Sequence, residues 1–203
     1  MATFGPATIS VNEDNGNQEA GAWAAGVVVM GVDSSNDINA GLRWQNVTVP
    51  AAATITSATL HIRARNSVVG TITDVHVKVF GHLGDAPQWA DGVFEPETTG
   101  ISLTTANTDW DPSAWVVDSY YDIDFTAVMQ EIVNGTWASG NDLALALNND
   151  GSTAPTNRVR AYAQGDGDTN ANTITIVYET GRASKNTRTN PLGVEIGMNW
   201  RSS

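Results

Sequence analysis

The stretch Tyr120–Leu147 reads YYDIDFTAVMQEIVNGTWASGNDLALAL and holds the one credible helix of a chain otherwise patterned as strands. Asp124 suits the N-cap, because its carboxylate can accept from the free N–H groups of a first helical turn. Phe125, Val128, Met129 and Ile132 then recur at the three-and-four spacing of one helix face. Asn134-Gly135 is a stop, since glycine reaches the left-handed conformation of a helix end without strain. The spacing therefore predicts a helix over about Phe125–Asn134. After Trp137 and the polar Ser139-Gly140-Asn141, Leu143, Leu145 and Leu147 alternate with Ala144 and Ala146. That is a strand with a large-residue face and a small-residue face. One short helix between strands is expected to plug the end of a sandwich.

Outward from this stretch the period is two. Thr3–Val11 and Gly26–Val32 read as strands, with Asn12–Gln18 and Asp33–Ala40 as polar loops beside them. In Gly41–Pro50, Leu42 and Trp44 share one face and Arg43 and Gln45 the other, and Pro50 ends the strand. Ala58–Arg65 and Thr71–Gly81 both alternate apolar with charged residues, which predicts a neighbouring, half-buried antiparallel pair. Val116–Ile123, Arg158–Gln164 and Thr173–Tyr178 complete about ten strands, with turns rich in Asn, Asp and Gly between them. The fold class expected is all-β: an antiparallel, jelly-roll-like β-sandwich over residues 1–180 with one short helix. Residues 181–203 follow as a basic linker and a strand-forming arm.

Composition narrows the function classes. A hydrophobic content of 41% with 16% charged residues is that of a chain with a packed core. No cysteine is present, so disulfides, thiolate catalysis and cysteine-ligated metals are excluded. The net charge of −12 excludes the basic footprint that nucleic-acid binding needs. The apolar run Ala22–Val32 is too short to span a bilayer, so no membrane partner is expected. The first basic residue is Arg43, so no charged n-region is legible at the start. The expectation is a protein kept in the cytoplasm, or one that leaves by a non-standard route.

Charge is unevenly placed. Residues 1–180 hold 6 Lys+Arg against 21 Asp+Glu, a net of −15, whereas residues 181–203 carry Arg182, Lys185, Arg188 and Arg201 against Glu195, a net of +3. Such a tail is expected to meet acidic surface. Leu192, Val194, Ile196, Met198 and Trp200 alternate on one face after the polar linker Gly181–Pro191, and five apolar residues on one strand face need a cover. The expectation is an assembly arm, with Arg182, Lys185 and Arg188 against carboxylates of a neighbouring subunit or another protein. The competing expectation is a strand folded back onto its own sandwich.

Other candidate sites are weaker patterns. Trp89, Phe94 and Trp110, in or beside the irregular segment Gly84–Asp111, could stack on a pyranose while nearby acids bind its hydroxyls; the alternative is that they staple the loop to the body. His61 and His76 could meet across two strands, but no third ligand is placed by spacing, so no metal site is expected. Asn12–Gln18 offers oxygen ligands that could take calcium, although it lacks the acidic ladder of a calcium loop; otherwise no cofactor is expected. Asp109/Asp111, Asp122/Asp124 and Glu95/Glu97 are paired carboxylates of the kind glycosidases use, yet no nucleophile–base arrangement accompanies them, and a non-catalytic protein is expected.

Three segments together resemble the disaggregatase-related β-sandwich domain, a carbohydrate-binding-module-like family. They are LRWQNVTVPAAATITSATLHIRA (Leu42–Ala64), DIDFTAVMQEIVNGTWASGNDLALAL (Asp122–Leu147) and RVRAYAQGDGD…NTITIVYE (Arg158–Glu179). The second is the most specific, and the third departs from the usual Ser/Tyr-rich segment. Trp44 and Trp137 match pattern positions read as core. The resemblance implies a non-catalytic module of bacterial surface or polysaccharide-acting proteins, or a stand-alone structural protein of a tailed bacteriophage. With the basic tail, the phage setting is the expectation: a virion protein, most simply a capsid decoration or accessory subunit, assembled in the host cytoplasm. Its expected partners are neighbouring copies and the major capsid protein. A carbohydrate-binding module with a glycan partner is the alternative.

Overall fold

Alternating apolar residues become extended backbone with one dry face, and two such faces pressed together make a core. The computed structural model describes residues 1–96, 100–167 and 172–180. Its strands are β1 (Ala2–Thr8), β2 (Asn15–Glu19), β3 (Ala22–Ala25), β4 (Val28–Asp33), β5 (Asn36–Trp44), β6 (Thr54–Arg63), β7 (Val77–Gly81), β8 (Thr108–Trp110) and β9 (Tyr120–Asp124). Then come helix α1 (Thr126–Asn134), β10 (Leu143–Asn149), β11 (Thr156–Ala161) and β12 (Asn172–Glu179). They form an all-β sandwich of two antiparallel sheets. One sheet runs β1-β12-β6-β9; the other runs β11-β4-β5-β10-β7-β8, with the β2–β3 hairpin joined to β5.

Helix α1 lies against β6 of one sheet and β7 of the other, so it closes the sandwich as expected. Val128, Met129, Ile132 and Val133 are its buried face. Gly81 lets it come close: a Cβ there would lie 2.5 Å from Ile132 Cδ1 and 2.8 Å from Val128 Cγ1. Two details of the ends differ from expectation. Phe125 occupies the cap position, and Asp124 instead accepts from the Thr126 N–H (2.8 Å) and hydroxyl (2.6 Å). Gly135 is not left-handed (φ −88°); its N–H donates to Ile132 O at 3.1 Å and tightens the last turn.

The expected loops are shorter than the polar residues suggest. Within Asn12–Gln18, Asn12–Asp14 is a single 3-10 turn and Asn15 begins β2, which pairs with both β3 and β5. The segment Asp33–Ala40 holds only a two-residue turn, Ser34-Ser35 at φ 49° and 71°, and Asn36 begins β5. The run Ala22–Val32 breaks at Gly26 (φ 75°) into β3 and β4. β5 ends at Trp44 rather than Pro50 because Asn46, at φ 54°, turns the chain.

The expected pairing of Ala58–Arg65 with Thr71–Gly81 does not occur. β6 pairs with β12 and β9, and β7 pairs with β10 and β8, so the two face each other across the core. A period of two says which face is buried, not which strand lies alongside.

β5 and β10 are covered on both faces. Leu42, Trp44, Leu143, Leu145 and Leu147 enter the main core, while Ala144 joins a second cluster with Ala86, Trp89 and Phe94. The loop carrying Trp89 can lie this close because Gly41 has no side chain: a Cβ there would be 2.7 Å from Trp89 Cε2. Arg43 is on that same covered side, where it is matched to carboxylates. Its Nη1 binds the fully buried Asp14 at 2.5 Å, its other terminal nitrogen binds Asp142, and Nε donates to Ala86 O at 2.9 Å.

Two outcomes test this arrangement. Ile132→Asp sets an unpaired carboxylate in the core and is expected to cost more than about 3 kcal/mol in a urea melt. Arg43→Ala leaves Asp14 buried without its cation and is expected to cost about 3–5 kcal/mol. A wild-type melt for either variant would contradict the burial described.

Candidate functional site

The outward faces of both sheets carry charge, and the cations among the described residues are all engaged. Arg43, Arg63, Arg65, Lys78, Arg158 and Arg160, the six Lys and Arg of residues 1–180, each pair with an aspartate. Lys78 bridges Asp150 (2.8 Å) and Asp109 (3.3 Å) between β10, β7 and β8. Arg65 and Arg160 share Asp166, at 2.7 and 3.4 Å. With 21 acids against those six bases, the body keeps a surplus of carboxylate.

The aromatic side chains considered for glycan stacking fall in different environments. Trp89 and Phe94 are buried, at 3% and 0% exposure, and stack on each other at 4.4 Å. Trp23 covers Trp89 at 5.6 Å, and His82 meets Phe94 edge-on at 5.0 Å. Neither ring presents a face to a sugar; they staple the loop over β5 and β10, the alternative weighed from the sequence. Glu95 is buried with them, accepting from Gln18 Nε2 and from Gly92 N, each at 2.8 Å. Trp110 is half-buried at the corner where β8 and β9, the last strands of the two sheets, approach each other.

That corner is the candidate site. Trp110 meets Trp115 at 6.1 Å, and Trp115 stacks on Tyr121 at 4.9 Å, filling the gap between the sheets. Next to this stack the chain makes a turn in which Ser119 N donates to Val116 O, with Asp118 at φ 68°. The turn turns Val116 (60% exposed), Val117 (40%) and Tyr120 (52%) to solvent. Arg63 lies 5.7 Å from the Tyr120 ring centroid and 4.9 Å from that of Tyr162, and its Nη2 binds Asp118 at 2.9 Å. The alternation predicts one strand over Val116–Ile123, whereas the strand begins at Tyr120 and the turn before it forms a patch that the sequence does not reveal. Nothing in the residues between Val117 and Tyr120 announces a left-handed aspartate.

The remaining candidates are kept apart. His61 pairs with Asp122 (2.6 Å) on one sheet, and His76 with Asp111 (2.9 Å) beside the other, so no two-histidine site forms. Of the carboxylate pairs, Asp109 and Asp111 hold Lys78 and His76, Asp122 and Asp124 hold His61 and Thr126, and Glu97 lies outside the described residues. In the segment considered for calcium, Asp14 is taken by Arg43 and by Gln45 Nε2 (2.8 Å). Among the described residues no three His, Asp or Glu side chains are grouped to hold a metal. Leu192, Val194, Ile196, Met198, Trp200, Arg182, Lys185 and Arg188 lie outside the described residues.

His82 links the covered loop to pH. Burial holds its pKa below the ordinary value, only partly opposed by the Asp85 charge, and its Nδ1 accepts from Ser102 N at 3.1 Å. The unfolded chain takes up this proton near pH ~6.5 while the folded protein resists it. The stabilisation is complete above that pH and is lost as pH falls toward the lower folded pKa. His82→Gln is therefore expected to lose less melting temperature between pH 7.5 and 5 than wild type, and equal losses would exclude the linkage. Searches with family models and among curated proteins found no match to this chain.

Proposed function

We propose that the chain is a non-catalytic structural subunit of a tailed-bacteriophage particle, a capsid decoration or accessory protein that assembles through contacts between copies and with a capsid protein. One observation carries the assembly part: all six cations of the body are committed to its own carboxylates, and fifteen negative charges are left over. The basic residues of 181–203 are the chain's remaining source of complementary charge. The phage setting rests on the family resemblance of Leu42–Ala64, Asp122–Leu147 and Arg158–Glu179. The paired carboxylates support a non-catalytic role, because those described are already engaged with histidine, lysine, backbone or cap partners.

A second reading, a carbohydrate-binding module, draws on the exposed Tyr120 ring beside Arg63 and Asp118. A glycan array separates the two, since a module binds an oligosaccharide as a soluble monomer. For the first reading, truncation after Thr180 is expected to reduce the native mass to that of a monomer while the melting temperature stays within a few degrees. Salt near 1 M, where the screening length is only ~3 Å, is expected to weaken the full-length assembly. An oligomer that survives truncation, or turnover of a polysaccharide lost with one carboxylate pair, would overturn the proposal.

A further inference from the structure

β9 is the terminal strand of its sheet, and the surface around its Tyr120 end combines what an amphipathic basic strand requires. It offers strand backbone paired on one side by β6, the exposed apolar side chains Val116, Val117 and Tyr120, and the half-buried rings of Trp110 and Tyr121. Three of the six large hydrophobic residues that the described body exposes lie in this one turn. A patch of that kind beside a strand edge marks an interaction surface.

The same corner is acidic. Asp109, Asp111, Asp118 and Asp122 are all more than half exposed, and Asp124 is exposed as well, against the cations of Lys78 and Arg63. With Asp150, the second partner of Lys78, the surplus is four negative charges, and Arg182, Lys185 and Arg188 of the linker supply three positive ones.

We propose that residues Leu192–Trp200 of a neighbouring copy add as a strand along the Tyr120 end of β9. Their apolar face lies toward Val116, Val117 and the Trp110–Trp115–Tyr121 stack, and the linker lies over the carboxylates. This rests on the assembly reading above and names its receiving surface. The Asp124 end of β9 is partly taken, because Thr108 Oγ1 donates to Asp124 O at 2.7 Å and the Asp124 side chain holds the start of α1. The free end is therefore the one beside Arg63.

The length of chain disfavours docking on its own copy. β12 leaves the sheet opposite Thr54, whereas Tyr120 pairs with Arg63 at the far end of β6. At ~3.3 Å per residue along the strand and ~4.8 Å per strand across it, these points are about 31 Å apart in a straight line. The linker Gly181–Pro191 reaches ~35–40 Å when fully extended, so a route around its own sheet leaves it almost no slack. A neighbouring copy imposes no such limit.

The test places a photo-reactive benzoylphenylalanine at Trp200 in full-length protein. Equal amounts of nitrogen-14 and nitrogen-15 protein are diluted to dissociate, reconcentrated together and irradiated. Cross-links from Trp200 of one label to residues 116–124 of the other are expected. Cross-links to 116–124 within one label alone would overturn docking between copies, and cross-links to any other surface would overturn β9 as the receiver while leaving the arm intact. An assembly that persists after truncation at Thr180 would overturn the arm reading itself. Independently, Val116→Asp with Val117→Asp is expected to raise the concentration needed for assembly at least tenfold with the melt unchanged, and Val69→Asp to leave it unaltered. Equal effects of the two would also count against the site.

Discussion

Both faces of the β5–β10 ladder are dry, and the rest of the molecule is arranged to keep them so. The leucine face fills the space between the sheets with Trp44 and the apolar side of α1. On the back, Gly41, Ala144 and Ala146 leave a shallow floor on which Trp89 and Phe94 lie. Larger residues on that floor would lift the loop and open the ladder to water. Each fully buried leucine contributes about 1.5–3 kcal/mol, but only while its neighbours stay packed around it. The small side chains of β10 are therefore as much a condition of the fold as the large ones.

The polar hub around Arg43 follows from the same constraint. A guanidinium on a covered strand face must have its charge matched, and Asp14, Asp142 and the Ala86 carbonyl match it from three different segments. Asp142 also accepts from Asn46 N, and its own N–H donates to Asp85, so the turns before β10 and after β5 are tied to the loop above. Removing any one partner leaves a buried charge with too few contacts. The attraction within such a hub is largely offset by the cost of taking its charges out of water.

Electrostatics at the surface have a different character. Apart from Arg43, the described cations are spent on ion pairs in which the cation stays partly exposed, each of modest worth in water. Their collective effect is on the balance that remains: an acidic body whose complement sits in the final residues of the same chain. The corner between β8 and β9 adds an apolar patch to that acidity, which makes it chemically unlike the threonine-rich faces elsewhere on the four-stranded sheet.

Residue order alone determined the period of the strands with alternating apolar residues, the place of α1 and the charge imbalance between body and tail. These depend on neighbours within a few positions: Val128, Met129 and Ile132 share a face because of helical geometry, and Leu143, Leu145 and Leu147 because of the pleat. Partnership was decided in three dimensions. The alternation in β6 and β7 is the same whether they lie side by side or across the core, and only the pairings of β12 and β10 separate them. Asp14 reads as a solvated loop residue until Arg43, distant in sequence, is brought against it. Trp89 reads as either a sugar platform or a loop staple until the Gly41 floor is beneath it. The exposed turn at Val116 and Val117 arises because Asp118 adopts a left-handed backbone there, held by hydrogen bonds from its own N–H to Ala64 O and from Arg63 to its carboxylate. Those bonds come from a strand more than fifty residues earlier, and no local pattern encodes them.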